Sequence, residues 1–192
     1  MDKKIENNND KINKLLEFYF IEYKRMILGK ECNSKLSEIA TVESGKRPMI
    51  KQVDTNKEFN IPIIGASSIM GYTNDYLYNE PIIVIGRVGT HGVVQAISEK
   101  SWPSDNTLVI RTDYYSFVYN ILSNIDYASI NKGSTQPLIT QTDIKNTPIV
   151  IPTKEDLLRF EKITSMTTLN FYKNEIAKLE LLKQLYLKKF FG

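Results

Sequence analysis

Proline and glycine are confined almost entirely to the middle of this 192-residue chain, and that placement limits what the rest can become. All seven prolines and seven of the nine glycines fall in residues 31–153. Residues 1–30 hold only Gly29, and residues 154–192 only the final Gly192. Both residue types punctuate turns and are costly inside helices, so the flanks read as helices and the middle as a turn-rich domain. The chain therefore divides into 1–30, 31–153 and 154–192.

In the first flank Ile5, Ile12, Tyr19 and Met26 recur at a spacing of seven, with Leu16 and Tyr23 between them. This is a coiled-coil-like seam, interrupted at Asn9. Gly29, after Lys24 and Arg25, marks its stop. The last flank opens on Pro152, with Thr153 as N-cap and Asp156 three residues on. Leu169, Tyr172, Ile176, Leu179, Leu182 and Tyr186 then recur every three or four residues. One helix over 154–191 would be about 57 Å long, against about 35 Å for the diameter of a ~120-residue domain. Its apolar stripe thus needs another helix to pack against. The alternative is two shorter helices broken near Thr164–Thr168. The two flanks also resemble each other at a constant offset of 164 residues: Asp10–Leu15 matches Asn174–Leu179 in type, and Lys24–Ile27 matches Lys188–Phe191. A constant offset suggests one unit of a repeating helix–domain–helix array.

The middle carries short β-branched runs at Ile61–Ile64, Ile82–Ile85, Val93–Ile97, Leu108–Arg111 and Ile149–Ile151, each bounded by turn residues. Tyr114–Asn124 has helical spacing. The expected fold is α+β: a mixed α/β domain with a β-rich, twisted or barrel-like core, between an N-terminal and a long C-terminal coiled-coil-like helix.

Several function classes drop out. Cys32 is the only cysteine and cannot form an internal disulfide, so a reducing, cytoplasmic setting is expected. No apolar run approaches the ~18 residues of a membrane span, and the polar start lacks the apolar stretch of a signal peptide. A single histidine, His91, makes a metal site improbable by composition. No amino-methyltransferase motif and no glycine-rich cofactor loop is present. Glu22-Tyr23-Lys24 mimics part of a nuclease signature but lies on the first helix, with no Pro-Asp before it.

Three loops offer polar chemistry. Gly86-Arg87-Val88-Gly89-Thr90-His91-Gly92 has three glycines at a spacing of three, which lets backbone approach a partner closely. Its N–H groups suit phosphate oxygens, and Arg87 suits a phosphate or a guanine edge. The plain alternative is a tight hairpin. Gly45-Lys46-Arg47-Pro48, with Lys51 nearby, is a basic turn, and Lys132-Gly133-Ser134-Thr135-Gln136-Pro137 is a second polar turn. Each read alone favours a solvated surface loop. Trp102 is a stacking platform or a core residue.

The combination resembles a family. Leu36–Ala40, Gly45–Pro48, Ile61–Ala66, Ile85–Gly92, Trp102–Thr107 and Gly133–Thr140 arrive in the order of one target recognition domain of a type I restriction-modification specificity subunit. Ile149-Val150-Ile151-Pro152, followed by a helix ending in Lys188-Lys189-Phe190-Phe191, resembles the family's conserved spacer helix. The resemblance implies a non-catalytic subunit that reads double-stranded DNA and docks methyltransferase subunits. Those partners would carry S-adenosylmethionine, and restriction/translocase subunits would join indirectly. This chain has one recognition domain where the family has two, so it looks like half a subunit. Two copies pairing their helices about a two-fold axis would rebuild the whole as a homodimer.

On this reading Lys46, Arg47, Lys51, Arg87, Thr90, His91, Lys132, Ser134, Thr135 and Gln136 face DNA. The lysines would grip phosphates, and Arg87 and Gln136 would suit bases. Ile12, Leu16, Tyr19, Tyr23, Ile176, Leu179, Leu182 and Tyr186 would pair the helices. The competing reading is a coiled-coil protein-interaction module, or an exchange partner of a full-length specificity subunit. Charge complicates the first reading. The net charge is +3, yet the middle domain holds ten basic against twelve acidic residues. DNA contact must then come from local loops, with acids such as Glu31, Glu38, Asp113 and Asp126 turned away.

Overall fold

A computed structural model of the protein describes residues 1–88, 92–127, 138–164 and 166–191. Helix α1 (Asp2–Ile27) carries Lys24 and Arg25 in its last turn, where cations meet the negative end of the helix dipole. The chain turns at Gly29, whose φ of 71° suits glycine, and enters the domain through β1 (Ser34–Lys35) and a 3-10 turn, Leu36–Glu38.

A four-stranded antiparallel sheet forms the centre. Its order is β2 (Thr41–Ser44), β8 (Thr107–Arg111), β5 (Ile82–Gly86), β6 (Val94–Ile97). Every residue of β5 is buried, because both faces of the sheet are covered. Ile83 and Ile85 face the main core with Val42, Leu108 and Ile110. Ile82 and Val84 face the other way, with Val109 and Ile64. A strand covered on both faces reads as a continuous apolar run, as Ile82–Ile85 does. The second face is covered by a three-stranded sheet of β4 (Ile69–Thr73), β3 (Ile61–Ile64) and β7 (Trp102–Pro103), in which β3 and β7 run parallel. The β-rich core expected from the sequence is thus two layered sheets plus a small pair.

That pair joins β1 to β9 (Pro148–Ile149), with Ser34 opposite Ile149. It closes the domain where the chain enters and leaves. The main core is completed by α2 (Tyr115–Ser123) through Phe117, Val118, Ile121 and Leu122, by α3 (Gln141–Lys145) through Ile144, and by α4 (Lys154–Ile163) through Leu157 and Phe160. Among the described residues no helix is long and apolar enough to cross a membrane.

The second flank is two helices, not one. Helix α4 stops at Thr164 and α5 (Met166–Phe191) follows. The cause is tertiary. The Thr164 carbonyl accepts a 2.8 Å hydrogen bond from the Ser116 hydroxyl, and the Thr164 hydroxyl donates back to the Phe160 carbonyl at 2.6 Å. Thr164 is fully buried. Helix α4 thereby belongs to the domain core, and α5 alone leaves it.

Helices α1 and α5 pack antiparallel. Asp2 meets Lys183 at 2.6 Å, Lys4 meets Glu175 at 2.7 Å, and the Lys11 ammonium lies 5.1 Å from the Tyr172 ring centre. Ile12 and Tyr19 are buried there with Leu15, Leu16, Tyr172 and Ile176 around them. The Asn8 amide, 2% exposed, donates to Glu175 Oε2 at 2.8 Å.

Glu161 ties α4 to α2. Its two oxygens accept from the backbone N–H groups of Ser116 and Phe117 at 2.9 and 2.8 Å, satisfying two first-turn donors that have no helical partner. Burial raises its pKa, and those same hydrogen bonds pull the other way. Glu161→Ala is expected to cost about 2 kcal/mol in urea denaturation, the loss of a charged cap at a buried helix start. A folded-state pKa above the unfolded one means that protonation favours the folded state. The stability of the wild type relative to Glu161→Gln should therefore rise as pH falls through the folded pKa.

Candidate nucleic-acid interface

The antiparallel order brings the C-terminal ends of β2 and β5 and the N-terminal end of β8 to one edge. The loops leaving that edge are bound to one another by backbone. Gly45 N–H donates to the Thr107 carbonyl at 3.0 Å, Lys46 N–H to Pro103 at 3.0 Å, and Arg87 N–H to Asn106 at 3.1 Å. Two glycines make this possible by lacking a Cβ. At Gly45 a Cβ would strike the carbonyl oxygens of Ser104 and Pro103, and at Gly86 that of Ala66.

Lys46 and Arg47 are exposed on this edge. Arg87 is half-buried beside them. Its Nη1 donates to Ser44 Oγ at 3.4 Å, and the same oxygen accepts from Gln141 Nε2 at 2.9 Å. Arg87 Nε is buried without a partner among the described residues. The guanidinium is therefore held on one side while its bonding capacity is not filled. Ser44 and Gln141 were not legible as site residues. They lie 97 positions apart, and no local pattern links them. Trp102 proves structural: its indole N–H donates to the Lys46 carbonyl at 2.8 Å and so fixes the basic turn.

Lys51 stands apart from Arg87, along β4, with its Cε 2.9 Å from where a Cβ on Gly71 would be. Thr90, His91, Lys132, Ser134, Thr135 and Gln136 lie outside the described residues. The stems that lead to them do meet. Ile139 N–H donates to the Arg87 carbonyl at 3.1 Å, and a Cβ on Gly92 would strike the Tyr127 ring.

The helix residues divide. Ile12, Leu16, Tyr19 and Ile176 share one buried cluster, which also takes in Ala96 of β6 and Tyr115 and Tyr119 of α2. Tyr23 instead packs on the domain core, its ring 5.7 Å from that of Phe117. Leu179 is half-buried, whereas Leu182 and Tyr186 are 46% and 55% exposed.

Charge is split across the domain. At the opposite edge of the central sheet a cleft is lined by Glu38, Glu80 and Asp113 around Arg111. Arg111 pairs with Glu43 at 3.1 Å and Glu80 at 3.6 Å, and the Glu43 carboxylate raises its pKa. Glu38, Glu43, Glu80 and Asp113 thus gather around Arg111 at that end, whereas exposed Asp105 sits in the turn whose Asn106 carbonyl accepts from Arg87. Among the described residues no group of three or more His, Cys, Asp or Glu is placed to hold a metal ion.

Residues 29–185 match the family described as the type I restriction modification DNA specificity domain. A putative type I restriction enzyme specificity subunit of Haemophilus influenzae is 24% identical over 155 residues, which is 77% of this chain and 37% of that protein. The crystal structure of a type I restriction-modification system S subunit from M. genitalium has the same fold, with a TM-score of 0.74 at 19% identity. The match takes in 100% of this chain and 57% of that one. The chain thus spans less than two thirds of the length of either.

Proposed function

The chain belongs to the type I restriction-modification DNA specificity family, and from that premise we propose that it is a non-catalytic unit reading one half of a bipartite DNA target. The observation that carries this reading is the edge where the basic turn Lys46-Arg47 and Arg87 are tied by backbone hydrogen bonds to one segment, Pro103–Asn106, with Glu38, Glu80 and Asp113 at the opposite end of the sheet. Phosphates would be gripped by Lys46 and Lys51, and Arg87 would reach a base edge from its seat on Ser44. The helices would dock methyltransferase subunits bearing S-adenosylmethionine, with restriction/translocase subunits joining through them, in the cytoplasm.

A second copy would complete the target. Beyond the Asp2–Lys183 contact, Leu185 and Leu187 on α5 are 55% and 50% exposed, and Leu181 and Leu182 before it are 57% and 46% exposed. Such a row of leucines supports pairing with another helix. Identical halves would read a palindromic split sequence. A methylation map of cells carrying this chain with its methyltransferase tests the reading. A palindromic split motif that disappears when the chain is removed is expected. Methylation that does not depend on the chain would sink it.

Arg87→Ala should weaken binding to that target by ~1–3 kcal/mol, about 5- to 150-fold, and relax discrimination at one position. Lys46→Ala should weaken binding to all sequences alike and flatten the salt dependence. Mobility shifts on target and scrambled duplexes separate the two.

A further inference from the structure

Met49 is 97% exposed and Ile50 is 50% exposed, on a loop that is otherwise firmly fixed. At its start, Lys46 is bonded to Pro103 and Trp102. At its end, Gln52 and Tyr72 exchange two backbone hydrogen bonds, at 2.9 and 2.8 Å, which extends the three-stranded sheet by a bridge. Gly71, at a φ of 146°, admits this crossing, since a Cβ there would lie 2.5 Å from the Gln52 carbonyl. Beyond Gln52, the Asn56 side chain closes a turn by accepting from the N–H groups of Glu58 and Phe59 at 2.9 Å each. The segment therefore holds two large apolar side chains out in water on a braced backbone.

The charges around them point to one partner class. Lys46, Arg47 and Lys51 flank Met49 on both sides in sequence, and among the described residues none of the three has an ion pair. Asp54 and Glu58 come only after the Gln52 anchor. An apolar tip between cations suits a duplex: cations take phosphates while the tip presses between base pairs and partly unstacks a step. A protein partner would have to offer acids around an apolar pocket, an outcome the co-purification below reads.

We propose that Met49, backed by Ile50, is an apolar wedge that enters the DNA and kinks it at one base step. This rests on the DNA-reading function proposed above and adds to it a deformation-based source of specificity. The step that yields most easily is then selected without a hydrogen bond to its bases.

The test uses the chain with its methyltransferase and a duplex of the target found by the methylation map, with 2-aminopurine placed at successive steps other than the methylated adenines, which the methyltransferase itself would flip out. The wild type should raise fluorescence several-fold at one step. Met49→Ala should abolish that rise and lower affinity for the target about tenfold, Met49→Leu should restore both, and binding to a scrambled duplex should change less than twofold. Tight binding by the wild type with no rise at any step would overturn the wedge and leave the DNA-reading function standing. No binding to any duplex would overturn both. If Met49→Ala instead loses the methyltransferase on co-purification, the loop is a protein contact and the wedge is wrong.

Discussion

Phe117→Ala is expected to lower the unfolding free energy by about 3–5 kcal/mol, the range for deleting a large buried aromatic side chain. Phe117 is fully buried. It stands between two other rings, Tyr23 of α1 at 5.7 Å and Phe160 of α4 at 6.1 Å, the second edge-on. Three helices that are distant in sequence thus meet on one side chain, and no neighbour is free to collapse into the space. The measurement is a urea transition. The midpoint should fall without a change in slope, since the surface exposed on unfolding is nearly the same. Phe117→Leu should recover more than half of the loss. A cost below 1 kcal/mol would mean that α1 and α4 are not joined through this ring.

The second large effect falls on the edge proposed to face DNA. Gly45→Ala puts a methyl group against two carbonyl oxygens, those of Ser104 and Pro103, and 2.7 Å from Thr107 Oγ1. Two of these three atoms are backbone and cannot rotate away. Relief requires the β2 end to leave β8, which breaks the hydrogen bonds from Gly45 and Lys46. Overpacking of this kind costs ~1–3 kcal/mol. If that displacement moves Lys46 and Arg47 off the phosphates, affinity for the target should fall by about 10- to 100-fold. Gly29→Ala is the control. Nothing lies within 4 Å of its Cβ position, so it bears only the positive-φ penalty and should leave DNA affinity unchanged. Equal losses in the two variants would show that the Gly45 loop does not position the cations.

What could be read from the sequence was whatever local rules decide. Proline and glycine marked where α1 ends and where α4 begins, because their effect on backbone acts residue by residue. The run Ile82–Ile85 announced a strand buried on both faces, as β5 is. What escaped was decided by partners far along the chain. The break after α4 depends on the Ser116 hydroxyl, 48 positions from the carbonyl it binds. Tyr23 follows Leu16 by one heptad yet faces Phe117, since spacing says which side of a helix a residue occupies but not what it meets. The seat of Arg87 on Ser44 and Gln141 is likewise a product of strand order. Strands of two residues, such as β1 and β9, give no periodicity to detect.

The bond from Asn8 to Glu175 sets a mechanical tolerance for the whole molecule. Asn8 is the one buried amide on α1, and its acceptor sits on α5 about a third of the way along that helix. Sliding the two helices by one turn would move one against the other by about 5.4 Å. That is about one and a half base-pair steps of B-form DNA. The slip would strand a buried amide without its acceptor, at a cost that apolar seam residues alone would not impose. A single buried polar contact, remote from the edge proposed to face DNA, therefore acts as an indexing pin: it opposes slips of a whole helical turn, each longer than one base-pair step.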